Sequence, residues 1–268
     1  MGQQMIGRAE IGVQHPASVR GLDRFVLWLT RHWLFVLNLG MAMFVGGTLL
    51  APVLMRLGLN GPARLVYLLY SMVCHQLPER SYFLFGPHGV DTYSRAQVIA
   101  WGADPGYLRG FVGNAQVGFK VSIAERDIAI YVTLLLAGVG YALVRRRVRG
   151  LSWWAFGLLI LPMALDGGSH VVSEMTGLGF RETNAWLATL TGNALPAAFY
   201  TGTILGSFNW LMRTLTGALF AVAVVWFAYP TLERGFGDVV GPARTKQKRV
   251  VAHTRKAEHP ANSEGKAL

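Results

Sequence analysis

The sequence has a single cysteine, Cys74, in 268 residues. One thiol excludes an intrachain disulfide, a CxxC redox pair and a cysteine-rich zinc site. Charge is scarce as well, with Asp, Glu, Lys and Arg making up only 15% of the chain. Several motifs that carry chemistry are absent: a Walker A loop, HExxH, GxGxxG ahead of a helix, CxxCH and the GxSxG elbow of serine hydrolases. Haem held by paired histidines has little to draw on, because His75 and His170 are the only histidines near apolar runs besides His32.

What the chain does have is apolar length. Hydrophobic residues make up 52%, and uncharged runs extend over Trp33–Met55 (23 residues), Ile128–Val144 (17), Leu151–Leu165 (15) and Thr214–Leu232 (19). About 20 apolar residues in a helix cross the hydrocarbon core of a bilayer, which is about 30 Å thick. A fifth uncharged run, Ala185–Met212, is interrupted by glycines and Pro196. The pattern predicts an all-α, polytopic helical membrane bundle. It has four firm transmembrane helices plus one or two short, broken or re-entrant helices. The first 32 residues are polar, carry Arg8, Arg20, Arg24 and Arg31, and do not have the form of a cleavable signal.

The net charge of +11 has a membrane explanation rather than a nucleic-acid one. Of 25 Lys and Arg, 16 fall in residues 1–32, in RRRVR at 145–149, and after Glu233. The positive-inside rule puts all three segments in the cytoplasm, where they can also meet anionic lipid headgroups. Spans at about 33–55, 128–146, 151–172 and 211–231 then alternate direction and leave both termini cytoplasmic. Three regions follow: a basic N-terminal segment 1–32, a helical membrane domain 33–234, and a basic tail 235–268 whose composition predicts disorder.

Four stretches are less regular. Residues 62–77 are too short to span and read as a helix on the membrane or partly re-entrant, ending at Leu77 before Pro78. Residues 185–207 read as a broken helix, and 84–118, rich in Gly, Pro and Asp, as an extramembrane loop. NAWLATLTG at 184–192 echoes NWLMRTLTG at 209–217.

Polar and ionisable residues near a bilayer are functional candidates, because a charge there costs a few kcal/mol. Four clusters stand out. CHQLPERS brings Cys74, His75, Gln76, Glu79, Arg80 and Ser81, with a Glu79–Arg80 surface pair as the plain alternative. AERDIAIY brings Arg126 and Asp127, with snorkelling and helix capping by Asp127 as the plain alternative. Being adjacent, at most one of the two is expected to face the bundle interior. ALDGGSH sets Asp166 and His170 on one helical face, suited to a carboxylate orienting an imidazole or to two ligands of one ion. SFNWLMRTLTG sets Asn209 and Arg213 one turn apart, and Arg213 calls for a buried carboxylate such as Asp166 or Asp127.

In that order and with those gaps, CHQLPERSYFLFG, KVSIAERDIAIY, LDGGSH and NWLMRTLTG resemble the membrane family called domain of unknown function 2085. The resemblance covers about 33–234. It runs through Cys74, His75, Gln76, Arg80, Ser81, Tyr82 and Phe83, then Arg126, then Asp166 and Gly167, then Asn209, Arg213, Thr216 and Gly217. The chain departs from the family pattern at Ala124, where a second cysteine is common, and at His170, which stands in place of Gln. The resemblance implies a bacterial or archaeal integral membrane protein and no particular activity.

The expectation is a polar pocket near the outer face that handles a metal ion or protons. His75 and His170 would be ligands or proton carriers and Asp166 a ligand or orienter, so a divalent metal is the cofactor such a set could hold. Arg213 would neutralise a carboxylate or hold an anionic headgroup. Two further readings stay open: an enzyme acting on a lipid-linked or periplasmic substrate, and an accessory subunit of a larger membrane complex.

Overall fold

The computed structural model describes residues 17–145 and 147–258. Among the described residues four helices are long and apolar enough to cross a membrane, and they fall where the uncharged runs do. They lie in α1 (Ala17–Arg56), α4 (Glu125–Val144), α5 (Trp153–Thr176) and α9 (Phe208–Glu258). Five shorter helices fill the connections: α2 (Asn60–Tyr70), α3 (Arg95–Ala100), α6 (Phe180–Thr183), α7 (Ala185–Leu190) and α8 (Ala197–Tyr200).

Helix ends follow local chemistry. Ser152 caps α5 by accepting from the Ala155 N–H at 3.3 Å, and Gly177 closes that helix in the left-handed conformation at φ 66°. The cap of α4 is Ala124, not Asp127, and no side chain caps it. Asp127 instead lies in the first turn with Glu125, where a negative charge complements the helix dipole.

Contacts between helices give their directions. Phe44 of α1 meets Tyr131 of α4 with ring centroids 4.7 Å apart, while Gly138 of α4 lies against Asn38 of α1. The two helices therefore run antiparallel. Gly217 and Tyr229 of α9 meet Arg126 and Tyr141 of α4 in the same order, so these two run parallel. Trp153 of α5 meets Phe227 of α9 edge-on, and Asp166 reaches Arg126, which turns α5 the other way. The C-terminal ends of α1 and α5 thus share one end of the bundle with the N-terminal ends of α4 and α9.

Two prolines inside long helices have partners for the carbonyls they release. Proline has no N–H to donate to the residue four positions earlier. Opposite Pro52 the Thr48 carbonyl accepts from the Ser122 N–H at 3.2 Å, and opposite Pro230 the Trp226 carbonyl accepts from the Leu151 N–H at 3.1 Å. Each freed acceptor anchors the chain at an end of α4 or α5.

The segment 84–118 is a folded subdomain rather than a loop. Strands β1 (Phe83–Gly86), β2 (Gly89–Asp91), β3 (Gly113–Asn114) and β4 (Gly118–Lys120) form an antiparallel sheet in the order β2-β1-β4-β3. Phe83, Tyr93, Val98, Ala103, Leu108 and Val117 form a buried cluster beneath it. Strands of two to four residues are too short for alternation to show in the sequence, and the Gly, Pro and Asp content marks only their turns.

Other boundaries differ too. The helix expected over 62–77 ends at Tyr70, and 71–77 is a turn and an extended stretch. Residues 185–207 are two short helices and turns, matching the broken helix that was expected. The echo at 184–192 and 209–217 has no structural counterpart, since Asn184 is a left-handed helix cap and Asn209 lies inside α9. Helix α9 continues to Glu258, through most of the stretch expected to be disordered, while 259–268 lie outside the described residues.

The chain divides into two compact units. One comprises 37–232 and holds everything described below. The other includes the described residues 17–36 and 233–258, and in it Trp33 packs on Phe236 with ring centroids 5.6 Å apart.

Candidate functional site: a charged cleft at the end of the bundle

The CHQLPERS linker owes its shape to its own polar residues. Gln76 takes a left-handed backbone at φ 54°, and its amide donates to the Tyr67 carbonyl at 2.7 Å. Leu77 is extended, as the following proline requires, and Pro78–Arg80 form a single 3₁₀ turn. The buried Cys74 sulfur accepts from the N–H of Gln76 at 3.4 Å and of Ala124 at 3.3 Å, fastening the linker to the start of α4. Burial and a hydrogen bond to Asp127 push the Cys74 thiol up to about 11, so it is a structural thiol and not a nucleophile.

Lys120 pins the same linker from below. It is fully buried, and its ammonium donates to the carbonyls of Gln76 at 2.8 Å and Arg109 at 2.9 Å. The Tyr67 hydroxyl donates to the Lys120 carbonyl. Burial pulls the Lys120 side chain down to about 7, because no carboxylate is bonded to it.

Four arginines gather beyond the linker, each with a carboxylate. Arg213 of α9 donates to Glu125 at 2.9 Å; the two side chains are 4% and 1% exposed. Arg126 and Arg181 both donate to Asp166, one to each oxygen, with Arg181 at 2.5 Å. Arg80 pairs with Glu174 on α5. Arg181 also donates to Nε2 of His170 at 3.1 Å. A guanidinium cannot accept, so that nitrogen is the acceptor and the His170 proton sits on Nδ1.

Two glycines make the approach possible. A Cβ on Gly217 would stand 3.2 Å from the Arg126 carbonyl and from Ile130, and a Cβ on Gly167 would stand 3.2 Å from the Arg126 guanidinium. Gly217 lets α9 close on α4, and Gly167 leaves Arg126 a path to Asp166. Asn209 donates to the carbonyls of Arg181 and of Gly202, the latter at 2.8 Å, and so fixes the strap that carries Arg181.

Beside these contacts lies a cleft of about 410 Å³. Its walls bring together the linker (Cys74, His75, Gln76, Arg80), the start of α4 (Glu125, Arg126, Asp127), His170 and Arg213. All four sequence clusters meet here. A second chamber of about 310 Å³, lined by Arg181 and Asn209, shares Arg80, His170, Glu174 and Arg213 with the first.

The pairings differ from those expected. Arg213 takes Glu125, because Asp166 is already held by two other arginines. Arg80 takes Glu174 rather than its neighbour Glu79. Arg126 and Asp127 both line the cleft, since at a helix terminus adjacent side chains can reach one opening. His75 lines the cleft but is exposed, and Asp166 contacts His170 at 4.0 Å with Arg181 bonded to both. Among the described residues no three His, Cys, Asp or Glu side chains are grouped to hold a metal ion.

Glu125, Glu174, Arg181 and Lys120 went unnoticed in the sequence. Glu125 was visible only as one of two acids opening a span, and Arg181 had no local signal at all.

Residues 115–201 match the family model described as predicted membrane protein (DUF2085). An uncharacterized protein of Methanocaldococcus jannaschii is 23% identical over 129 residues, which are 47% of this chain and 58% of that protein. The chain thus spans less than two thirds of that relative. No solved structure matches. Arg126, Asp166, His170 and Arg181 lie inside the matched stretch, whereas Cys74–Arg80 and Arg213 lie outside it. The family whose motifs the chain resembles is therefore the one whose model it matches, and over residues 115–201 the chain is similar to the predicted membrane proteins of DUF2085.

Proposed function

We propose that this multi-pass membrane protein binds an anionic, phosphate-like group in the arginine-lined cleft, with both termini cytoplasmic and the cleft on the outer side. One observation carries the binding reading. Arg126 Nε and Arg213 Nη2 are buried donors without a hydrogen-bond partner on side chains that line the cleft, and Arg181 Nε is a third on the adjoining chamber that Arg213 also lines. Each guanidinium has five N–H groups. The carboxylates Glu125, Asp166 and Glu174 satisfy only part of them, and they also offset much of the repulsion among four like charges. Buried polar groups left unpaired cost about 1–3 kcal/mol each, which an anionic ligand would recover.

The metal and acid–base readings draw less support. Both Asp166 oxygens and the His170 Nε2 are already engaged by arginines, so that pair offers neither a free base nor an open pair of ligands. The orientation follows from the basic segments, whose cytoplasmic placement puts the shared helix ends outside.

The reading is tested by thermal unfolding of the full chain in mild detergent, with and without inorganic phosphate or short-chain phosphatidic acid. Stabilisation by either probe, lost in Arg126→Gln and Arg80→Gln, supports it. Stabilisation by neither contradicts it.

A further inference from the structure

The rim of the cleft indicates what kind of anion it takes. Val73 and Val171 line the cleft yet are 53% and 54% exposed, and Met72, Val172 and Met175 continue this apolar surface outward. Val171, Val172 and Met175 stand on α5, a helix long and apolar enough to span, where exposed apolar side chains face lipid rather than water. Val73 of the linker lines the same cleft. Val171 lies five residues before the end of α5, and Arg213 five residues after the start of α9. At 1.5 Å per residue both sit about 8 Å in from the helix ends. The headgroup zones of a bilayer add about 5–8 Å on each side of the hydrocarbon core. Arg213 therefore sits near the boundary between headgroups and acyl chains, and Val171 on the rim lies at a similar depth.

Inside the cleft, Glu125 Oε2 and Arg213 Nη2 are both buried without a partner, on side chains 1% and 4% exposed. A group meeting both must donate one hydrogen bond and accept another. A phosphate monoester does so, with its P–OH donating to the carboxylate and a phosphoryl oxygen accepting from the guanidinium. A quaternary-ammonium head has no such proton and would leave Oε2 unmet.

We propose that the cleft admits a lipid carrying a terminal phosphate monoester sideways from the bilayer. The phosphate lies on Arg126 and Arg213, and the chains cross Val73 and Val171. This deepens the anion-binding reading above and rests on it.

The test is native mass spectrometry of the full chain in mild detergent with dioleoyl phosphatidic acid, dioleoyl phosphatidylcholine or inorganic phosphate. The wild type is expected to retain phosphatidic acid at least about tenfold better than phosphatidylcholine, roughly the worth of one charge-assisted hydrogen bond. Arg126→Gln is expected to remove that preference. Asp166 keeps Arg181 in that variant, and the more exposed Arg80→Gln serves as a second probe if Arg126→Gln folds poorly. Equal retention of the two lipids, or a preference unchanged in both variants, overturns the proposal. Phosphate binding that depends on the arginines, without lipid retention, overturns it while leaving the anion reading standing. Binding of neither probe overturns both.

Discussion

Glu125 and Arg213, 88 positions apart in the chain, meet at 2.9 Å with both side chains almost wholly buried. The pair joins the first turn of α4 to the second turn of α9 at the cleft. Removing one member of a buried ion pair strands the other, at a cost of roughly 3–5 kcal/mol. Glu125→Gln and Arg213→Gln should each sharply lower folded yield and thermal stability in detergent. The double Glu125→Gln, Arg213→Gln variant should be milder than the sum of the singles. Additive losses in that double-mutant cycle would show that the two side chains do not interact.

Gly217 and Gly140 should respond in opposite ways to added bulk. Gly217 faces α4 at contact distance, while nothing lies within 4 Å of a Cβ on Gly140. Gly217→Val should cost about 1–3 kcal/mol through overpacking. Gly140→Ala should be neutral, or stabilising by up to about 1 kcal/mol through helix propensity. Equal thermal shifts for the two variants would count against the close α4–α9 approach.

Lys120 makes stability depend on pH. Its folded value of about 7 lies below the ordinary lysine value of about 10.4. Between them the unfolded chain carries the extra proton, so stability rises with pH across that window and is flat in this respect below it. The slope is up to about 1.4 kcal/mol per pH unit. Cys74, Glu79 and Arg109 also act on the lysine charge, and the raised Cys74 value works in the opposite direction as pH climbs past the ordinary thiol range. The comparison is therefore cleanest between pH 7 and about 8.5. Thermal unfolding there should steepen with pH in the wild type and flatten in Lys120→Met. Parallel curves would refute the assignment.

Cys74 should resist alkylation. With a thiol near 11, the thiolate fraction at pH 8 is on the order of 200-fold below that of an ordinary cysteine. Maleimide labelling of folded protein should be slow and should become rapid on denaturation. Fast labelling of the folded form would contradict the buried, Asp127-bonded thiol.

Much of the fold was legible because lipid imposes long uncharged runs: those from Trp33, Ile128 and Thr214 lie within long apolar helices, and the one from Leu151 begins two residues before α5. The convergence of the motifs was legible too, since alternating spans put their polar ends on one side. Partner choice was not. Arg213 finds Glu125 and not Asp166 only because Arg181, from a strap with no helical periodicity, reaches Asp166 as well. The small sheet was hidden for a related reason: its strands are two to four residues long, and its core spreads over residues 83–117.

Elemental analysis of the chain purified in mild detergent tests the central claim most directly, because it reads phosphorus and metals together. The cleft as an anion site predicts about one tightly held phosphorus per chain in the wild type, lost in Arg126→Gln. Phosphorus at background, with a stoichiometric divalent metal that disappears in His75→Ala and His170→Ala, would contradict it.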